Sequence, residues 1–331
     1  MPLLLALPSN RPPARFYRGG SRITAFRGEP DAGSNEPEDW VASATTLAGE
    51  QRLGLTTLPD GRVLADAIRD DPEHWLGPEH LEAYGDDPRL LVKLLDAGQR
   101  LPVHAHPDDA FAAREAGRAH GKTEAWFILE GGTVHVGLTR DVTPDELARL
   151  VDEQDTEALL ELLHERAVEP GDTVLVPAGV LHAVGAGILL LELQQPEDLS
   201  ILLEWSGFDI DGATHGHLGL GFDRALEAVE LRGRTDAEIE ALITRGASGA
   251  SVLVEDADPF FRLERHVVGT ESVTLAAGFA VVMVAEGEVV LTVDGEELVA
   301  RRGSTVLVPH AAGAVGVSGA GELLVCRPPR A

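Results

Sequence analysis

Cysteine is nearly absent from the 331-residue chain: Cys326 stands alone, so no internal disulfide can form. Lysine is almost as scarce, occurring only as Lys93 and Lys122, and arginine supplies the other basic side chains. Basic residues are in turn outnumbered, 27 against 55 acidic, for a formal charge of −28. Nucleic acid and anionic membrane are excluded as partners, since both need a basic footprint. Long apolar runs are also missing. Stretches such as Gly187 to Leu191 fall far short of the ~20 residues that span a bilayer. The start, Met1-Pro-Leu-Leu-Leu-Ala-Leu, has neither a basic opening nor room for a signal core, which makes the cytoplasm the expected compartment. Aromatics reach only 5%, yet a hydrophobic content of 44% suffices for a sizeable core.

What is present is a set of metal-ligand types at ordered spacings. His104 and His106 lie two apart, so on a strand both imidazoles leave the same face, which helical spacing would not allow. Glu124 and His182 follow, each with glycine or proline at fixed offsets: Gly98 before the His pair, Gly131 after Glu124, and Gly171, Pro177 and Gly179 before His182. Two imidazoles on one face of a small barrel would repel if charged and cost desolvation if unpaired. Metal ligation by His104, His106, Glu124 and His182 is therefore expected, with zinc, iron or manganese suited to imidazole and carboxylate. A lone histidine such as His135 reads as structural. Asp108-Asp109 after Pro107 reads as a helix cap.

Along the chain, residues 2 to 27 suggest an entering strand and a turn, and residues 28 to 39 a polar loop. Trp40 to Ala44 reads as a strand, Arg62 to Asp70 and Pro78 to Tyr84 as weak helices, and Leu90 to Leu95 as a buried strand. Thr143-Pro-Asp-Glu146 has the form of a capping box, and Asp155 can cap a second helix. Strands resume at Thr173 to Val176 and Ile188 to Leu193. Thr235 to Glu238 caps a further helix, and Gly246 to Ser251 reads as a linker.

The last 80 or so residues return to short strands, at Ser272 to Leu275, Ala280 to Val284, Val289 to Val293, Thr305 to Val308 and Leu323 to Cys326, with Asp294-Gly295 as a hairpin turn. Gly303-Ser-Thr-Val-Leu-Val-Pro309 repeats Gly171-Asp-Thr-Val-Leu-Val-Pro177 except at the second position. In the repeat, Ala314 stands where His182 does and Ala280 where Glu124 does. A second, metal-free barrel with a role in packing or assembly is expected.

The spacing of glycine, His-x-His, Glu and Pro-x-Gly-x-x-His resembles the paired motifs of the cupin superfamily. The long gap between His106 and Glu124, with Pro107-Asp-Asp and Gly121-Lys-Thr-Glu124, is similar to type I mannose-6-phosphate isomerases. Likeness also covers Pro2-Leu3-Leu4, Arg18-Gly19-Gly20, Leu94 to Ala97, Val176 to Gly179, Leu191 to Gln195 and Phe222 to Glu227. The resemblance implies a mainly β fold of two cupin, jelly-roll-like barrels with inserted and linking helices. Residues 1–210 would form the catalytic domain, with a helical insertion at about 141–166. Residues 211–250 would link it to a degenerate barrel at 251–331. The implied cofactor is Zn2+, and the implied activity interconverts mannose 6-phosphate and fructose 6-phosphate. His106, Glu124 and His182 would be zinc ligands, and Lys122, Glu192 and Asp198 pocket residues, with Lys122 and Glu192 the available proton shuttles. Lysine can shed its proton when desolvated, which arginine cannot.

Two departures stand out. His104 replaces the family's usual Gln, which keeps a metal-binding atom but makes a three-His, one-Glu set that iron or manganese also favours. Leu202 stands where the family has an arginine, and no residue from Ser200 to Trp205 is basic. An isomerase of an unphosphorylated sugar, a cupin oxygenase and a sugar-binding regulator without turnover are the alternatives. For a phosphorylated substrate, Lys122 remains, and Arg114, Arg118 and His120 of the insertion between His106 and Glu124, with Arg100, are the expected replacements for the missing arginine. The partner is thus a small sugar or sugar phosphate, and homo-oligomerisation is compatible with the chain.

Overall fold

The computed structural model describes residues 3–30 and 33–331. Pro2, at the start of the N-terminal likeness, and Asp31 and Ala32, in the expected loop, lie outside them. The architecture is mainly β, as expected. Two antiparallel sheets form the first barrel. One runs, in spatial order, Ile243–Thr244, Thr173–Val176, Glu124–Glu130, Leu189–Gln194, Leu91–Asp96, Glu38–Val41. The other runs Ile201–Leu202, His104–Ala105, His182–Val184, Gly132–Leu138, Leu163–Val168. Leu189–Gln194 is buried along its whole length because one face lines the barrel and the other packs into the main apolar core, which explains a run of leucines interrupted only by Glu192 before Gln194.

The second barrel is a single sheet of seven strands built on two long bent ones, Ala280–Val293 and Val315–Arg327. Its interior is packed with aliphatic side chains, among them Val282, Val284, Leu291, Val306, Val317 and Val325. Ala280 to Val284 and Val289 to Val293, read from sequence as separate strands, are one strand that carries a bulge after Val284. Asp294 and Gly295 both adopt positive φ, 48° and 83°, the geometry of the expected hairpin turn.

The N-terminal expectation needs two corrections. Leu5–Leu7 is a strand, but it pairs with Thr305–Val308 and so belongs to the second barrel, not to a contiguous 1–210 unit. Ser21–Arg27 is a helix, not a strand or turn. Its free N–H groups are satisfied from a distance by Asp96, whose Oδ2 accepts from Gly20 N at 2.6 Å and Arg22 N at 2.9 Å. Gly19 is required beside it, since a Cβ there would lie 2.1 Å from the Asp96 carbonyl oxygen.

Other helices follow the sequence. Pro144–Glu153 and Thr156–Glu161 fill the expected insertion, capped by Thr143 and Asp155. Only half of the expected box forms at Thr143, because the Glu146 carboxylate turns to Arg140. Thr235 and Glu238 form a complete box. The 211–250 stretch holds short helices, then Ile243–Thr244 returns to the first barrel. One apolar cluster runs through both barrels, from Leu191 and Trp75 to Phe261, Met283 and Cys326. Among the described residues, no helix is long and apolar enough to cross a membrane.

Candidate metal centre and pocket

His104 and His182 are direct partners on adjacent antiparallel strands, and His106 follows immediately after the His104–Ala105 strand. The Pro177-Ala-Gly179 turn is joined to this pair by a hydrogen bond from Gly179 N to His106 O at 2.7 Å. The turn needs Gly179, whose φ is +85°. One donor atom from each of the three histidines lies within 4.8 Å of the others, and all three side chains are buried.

The orientation of each ring is fixed from behind. Nδ1 of His104 lies 2.8 Å from Pro102 O, that of His106 2.7 Å from Leu199 O, and that of His182 2.9 Å from Val180 O. A carbonyl only accepts, so each Nδ1 carries the proton and each Nε2 keeps its lone pair for the centre. Burial, with the neighbouring His182 and His106, holds His104 well below its ordinary value. Burial and the Lys122 charge push His106 down to about 3. His104 and His106 are thereby neutral, and the three rings are arranged as ligands.

Glu124 enters from the opposite sheet. Its Oε2 lies 3.0 Å from His106 Nε2 and 2.9 Å from Lys122 Nζ, and its Oε1 lies 3.3 Å from His182 Nε2. Neither Glu124 Oε2 nor His182 Nε2 is aligned for a hydrogen bond, so two buried polar atoms point into the centre unsatisfied. Three inward Nε2 lone pairs and a carboxylate oxygen fit a divalent cation, and they give its charge something to replace the missing donors.

The Gly121-Lys-Thr-Glu run is pinned to the Pro107-Asp-Asp run. Lys122 N donates to Pro107 O at 2.9 Å, Gly121 N to Asp109 Oδ1 at 2.7 Å, and a Cβ on Gly121 would lie 2.3 Å from Pro107 O. Asp108 is the expected cap, accepting from Phe111 N at 2.7 Å. Lys122 thereby reaches the centre, with Nζ 3.1 Å from His106 Nε2. Desolvation does not release its proton, contrary to the sequence expectation. Burial alone would lower its pKa, but Glu124 and Glu192 outweigh it and hold the ammonium above the ordinary lysine value.

From this point a row of alternating charges leads along the six-stranded sheet. Lys122 Nζ lies 3.7 Å from Glu192 Oε1, Glu192 Oε2 lies 3.6 Å from Lys93 Nζ, and Lys93 Nζ lies 3.7 Å from Glu38 Oε2. Arg15 Nε closes the row, 2.9 Å from Glu38 Oε1, which also accepts from Tyr17 Oη at 2.6 Å. Strand register builds it, since Lys93 is the direct partner of both Trp40 and Glu192, and Glu192 is also paired with Trp126. Burial, reinforced by Glu124 and opposed by Lys122 and Lys93, pushes Glu192 up to about 7. Burial would raise Glu38 as well, but Arg15 and Lys93 pull it far below the carboxylate range.

Asp198 lines the same pocket at its junction with an adjoining cavity and accepts from Ala48 N at 3.0 Å. Leu202 lines the pocket as well. The insertion's basic residues are not in it. Arg114 pairs with Glu115, Arg118 with Glu197, and His120 with Asp87, the last two beside the adjoining cavity. Arg100 pairs with Glu204. Sequence reading missed Arg15, Tyr17, Glu38 and Lys93. The usable signal was the isolated Lys93 in a run of apolar residues that forms a fully buried strand.

With this geometry in view, comparison with known proteins is direct. The family described as "Mannose-6-phosphate isomerase, cupin domain" matches residues 253–328. Mannose-6-phosphate isomerase ManA of Bacillus subtilis (strain 168) is 30% identical over 267 residues, covering 76% of this chain and 80% of the relative. This chain belongs to the mannose-6-phosphate isomerase family. The mannose-6-phosphate isomerase of Streptococcus mutans is 27% identical over 300 residues, 88% of each chain. The crystal structure of the Bacillus subtilis mannose 6-phosphate isomerase superposes with a TM-score of 0.76 at 23% identity, over 98% of this chain and 100% of that one. The fold is therefore that of mannose-6-phosphate isomerases across both barrels.

Proposed function

We propose that the chain interconverts mannose 6-phosphate and fructose 6-phosphate, with one divalent metal ion held by His104, His106, Glu124 and His182. The observation that carries this is the convergence of three Nδ1-anchored histidines on a buried carboxylate with unsatisfied atoms facing inward. Zinc is the first choice, since a related structure is described as mannose 6-phosphate isomerase bound with zinc and yttrium. Family membership favours isomerisation over the oxygenase reading of the same ligand set.

When bound, the metal ion supplies a Lewis acid that polarises the C1 and C2 oxygens of the open-chain sugar. The chain's own groups do the rest. Glu192 takes the proton from C2 of the aldose as O1 gains one to give the enediol, then returns it to C1 as O2 loses one, so the ketose forms without net gain or loss of protons. Lys122, kept charged between Glu124 and Glu192, donates to a sugar oxygen and holds Glu192 in place. Asp198, at the pocket's edge, accepts from sugar hydroxyls. Isomerisation of an unphosphorylated sugar is the second reading, favoured by the apolar Leu202 in the pocket wall.

The test is chelation followed by re-addition of zinc, iron or manganese, with conversion of mannose 6-phosphate and metal content measured on the same samples. Conversion and metal should be lost and regained together. Undiminished turnover by metal-free protein would end this reading.

A further inference from the structure

A dianionic phosphate approaching a chain of charge −28 is repelled at long range, so it needs a cation at the pocket itself. Leu202 offers none, and the cations of the insertion are paired outside the pocket. Three cationic side chains line it: Lys122, Lys93 and Arg15. Lys122 is committed to the metal centre by its contacts with Glu124 and His106. Lys93 is enclosed, with Glu38 and Glu192 on either side, the Trp40 ring 4.6 Å away and a side chain only 4% exposed.

Arg15, although the Phe16 ring lies 5.7 Å from its guanidinium carbon, differs in its free nitrogens and its exposure. Its Nε donates to Glu38 and the charge of Asp198 also acts on it, but among the described residues its two terminal nitrogens make no hydrogen bond. Its side chain keeps 14% exposure. The backbone beneath is held on both sides by Asn35, with Arg15 N donating to Asn35 O and Asn35 Nδ2 donating to Arg15 O, each at 2.9 Å. Arg15 is thus a fixed guanidinium with one edge anchored and the other facing the pocket. A planar fork of this kind matches two oxygens of a phosphate, which a lysine ammonium does not.

We propose that Arg15 recognises the substrate's phosphate, its free edge taking two phosphate oxygens while Nε stays on Glu38. Glu38, fixed in turn by Tyr17 and Trp40, is the positioning residue that aims the fork. The assignment rests on the isomerase reading above and places the phosphate at the far end of the charge row from the metal ligands. The sugar then spans from Glu192 to Arg15, with C1 and C2 inward.

The experiment compares kcat/KM for mannose 6-phosphate and for mannose in the parent, Arg15→Ala and Arg15→Lys, all metal-loaded, with inorganic phosphate as inhibitor of mannose turnover. The ratio of the two efficiencies should fall roughly 10- to 150-fold in Arg15→Ala, the loss of charge-assisted hydrogen bonds. It should recover in part in Arg15→Lys, and inhibition by inorganic phosphate should weaken in step. If the parent converts mannose 6-phosphate and Arg15→Ala keeps the parent's ratio, the assignment of Arg15 is overturned and the isomerase reading stands. Equal loss on both sugars also overturns it, leaving Arg15 as a structural partner of Glu38. A parent that converts neither sugar overturns the isomerase reading itself. Should Arg15→Ala not fold, Arg15→Lys decides, because it keeps a cation on Glu38 without the fork. An unchanged ratio there overturns the proposal.

Discussion

Lys93 and Glu192 are direct partners on neighbouring antiparallel strands, with Nζ 3.6 Å from Oε2 and each side chain only 4% exposed. Lys93 also faces Glu38, so one ammonium compensates two buried carboxylates. Removing one member of such a set leaves uncompensated charge in a low-dielectric site. Lys93→Ala should therefore destabilise the fold by ~3–5 kcal/mol in urea unfolding and abolish turnover. A loss below ~1 kcal/mol, the scale of an exposed pair, would show that water reaches this row.

The His182→Ala variant should lose its metal and keep its fold, because His182 is anchored by backbone contacts that the strand makes without it. Elemental analysis of the parent should give about one metal per chain, the occupancy of a single closed ligand set. Two tightly held equivalents would place a second ion elsewhere and contradict the alanines at positions 280 and 314.

Glu38 makes stability depend on pH in a definite direction. Its folded pKa lies below the ordinary 4.5, because Arg15 and Lys93 outweigh the opposing effect of burial. The stabilisation is fully present above the unfolded value and is lost as pH falls below it toward the folded one. In urea unfolding, the gap between the parent and Glu38→Gln should be widest near pH 7 and narrow as pH drops from about 4.5 to 3. A gap that widens on acidification would reverse the assignment.

Cys326 is wholly buried in the apolar cluster shared by the barrels, and burial pushes its thiol well above the ordinary value. Native protein should show no reaction with an aromatic disulfide reagent at pH 8, and denatured protein one thiol per chain. Fast labelling of the native form would mean that the barrels part readily.

The clustering of His104, His106 and His182 was legible because its constraint is local: two residues on one face of a strand must be two apart, and a strand-ending Pro-x-Gly turn sets the distance to the next. Arg15, Glu38 and Lys93 left no such trace. They come from a loop and two strands and meet only through the pairing of Trp40 with Lys93 and Lys93 with Glu192, a register that period-2 patterning cannot supply. The Ser21–Arg27 helix escaped for a related reason. It is two turns long, too short for a periodic signal, and its cap, Asp96, lies 74 residues beyond Arg22. Lys122 lies beside His106 and Glu124, but its charge state depends also on Glu192 across the sheet.

The pairing of Leu5–Leu7 with Thr305–Val308 sets a timetable for synthesis. Leu5–Leu7, made before the strands of the first barrel, cannot take its place until Thr305–Val308 has been made, so it waits unpaired while the first barrel forms. Arg27 ties the same segment to both halves, with Nε at Asp39 and Nη2 3.1 Å from Thr305 Oγ1. A chain halted before residue 305 would therefore leave Leu5–Leu7 as an unpaired strand and Arg27 without its Thr305 partner.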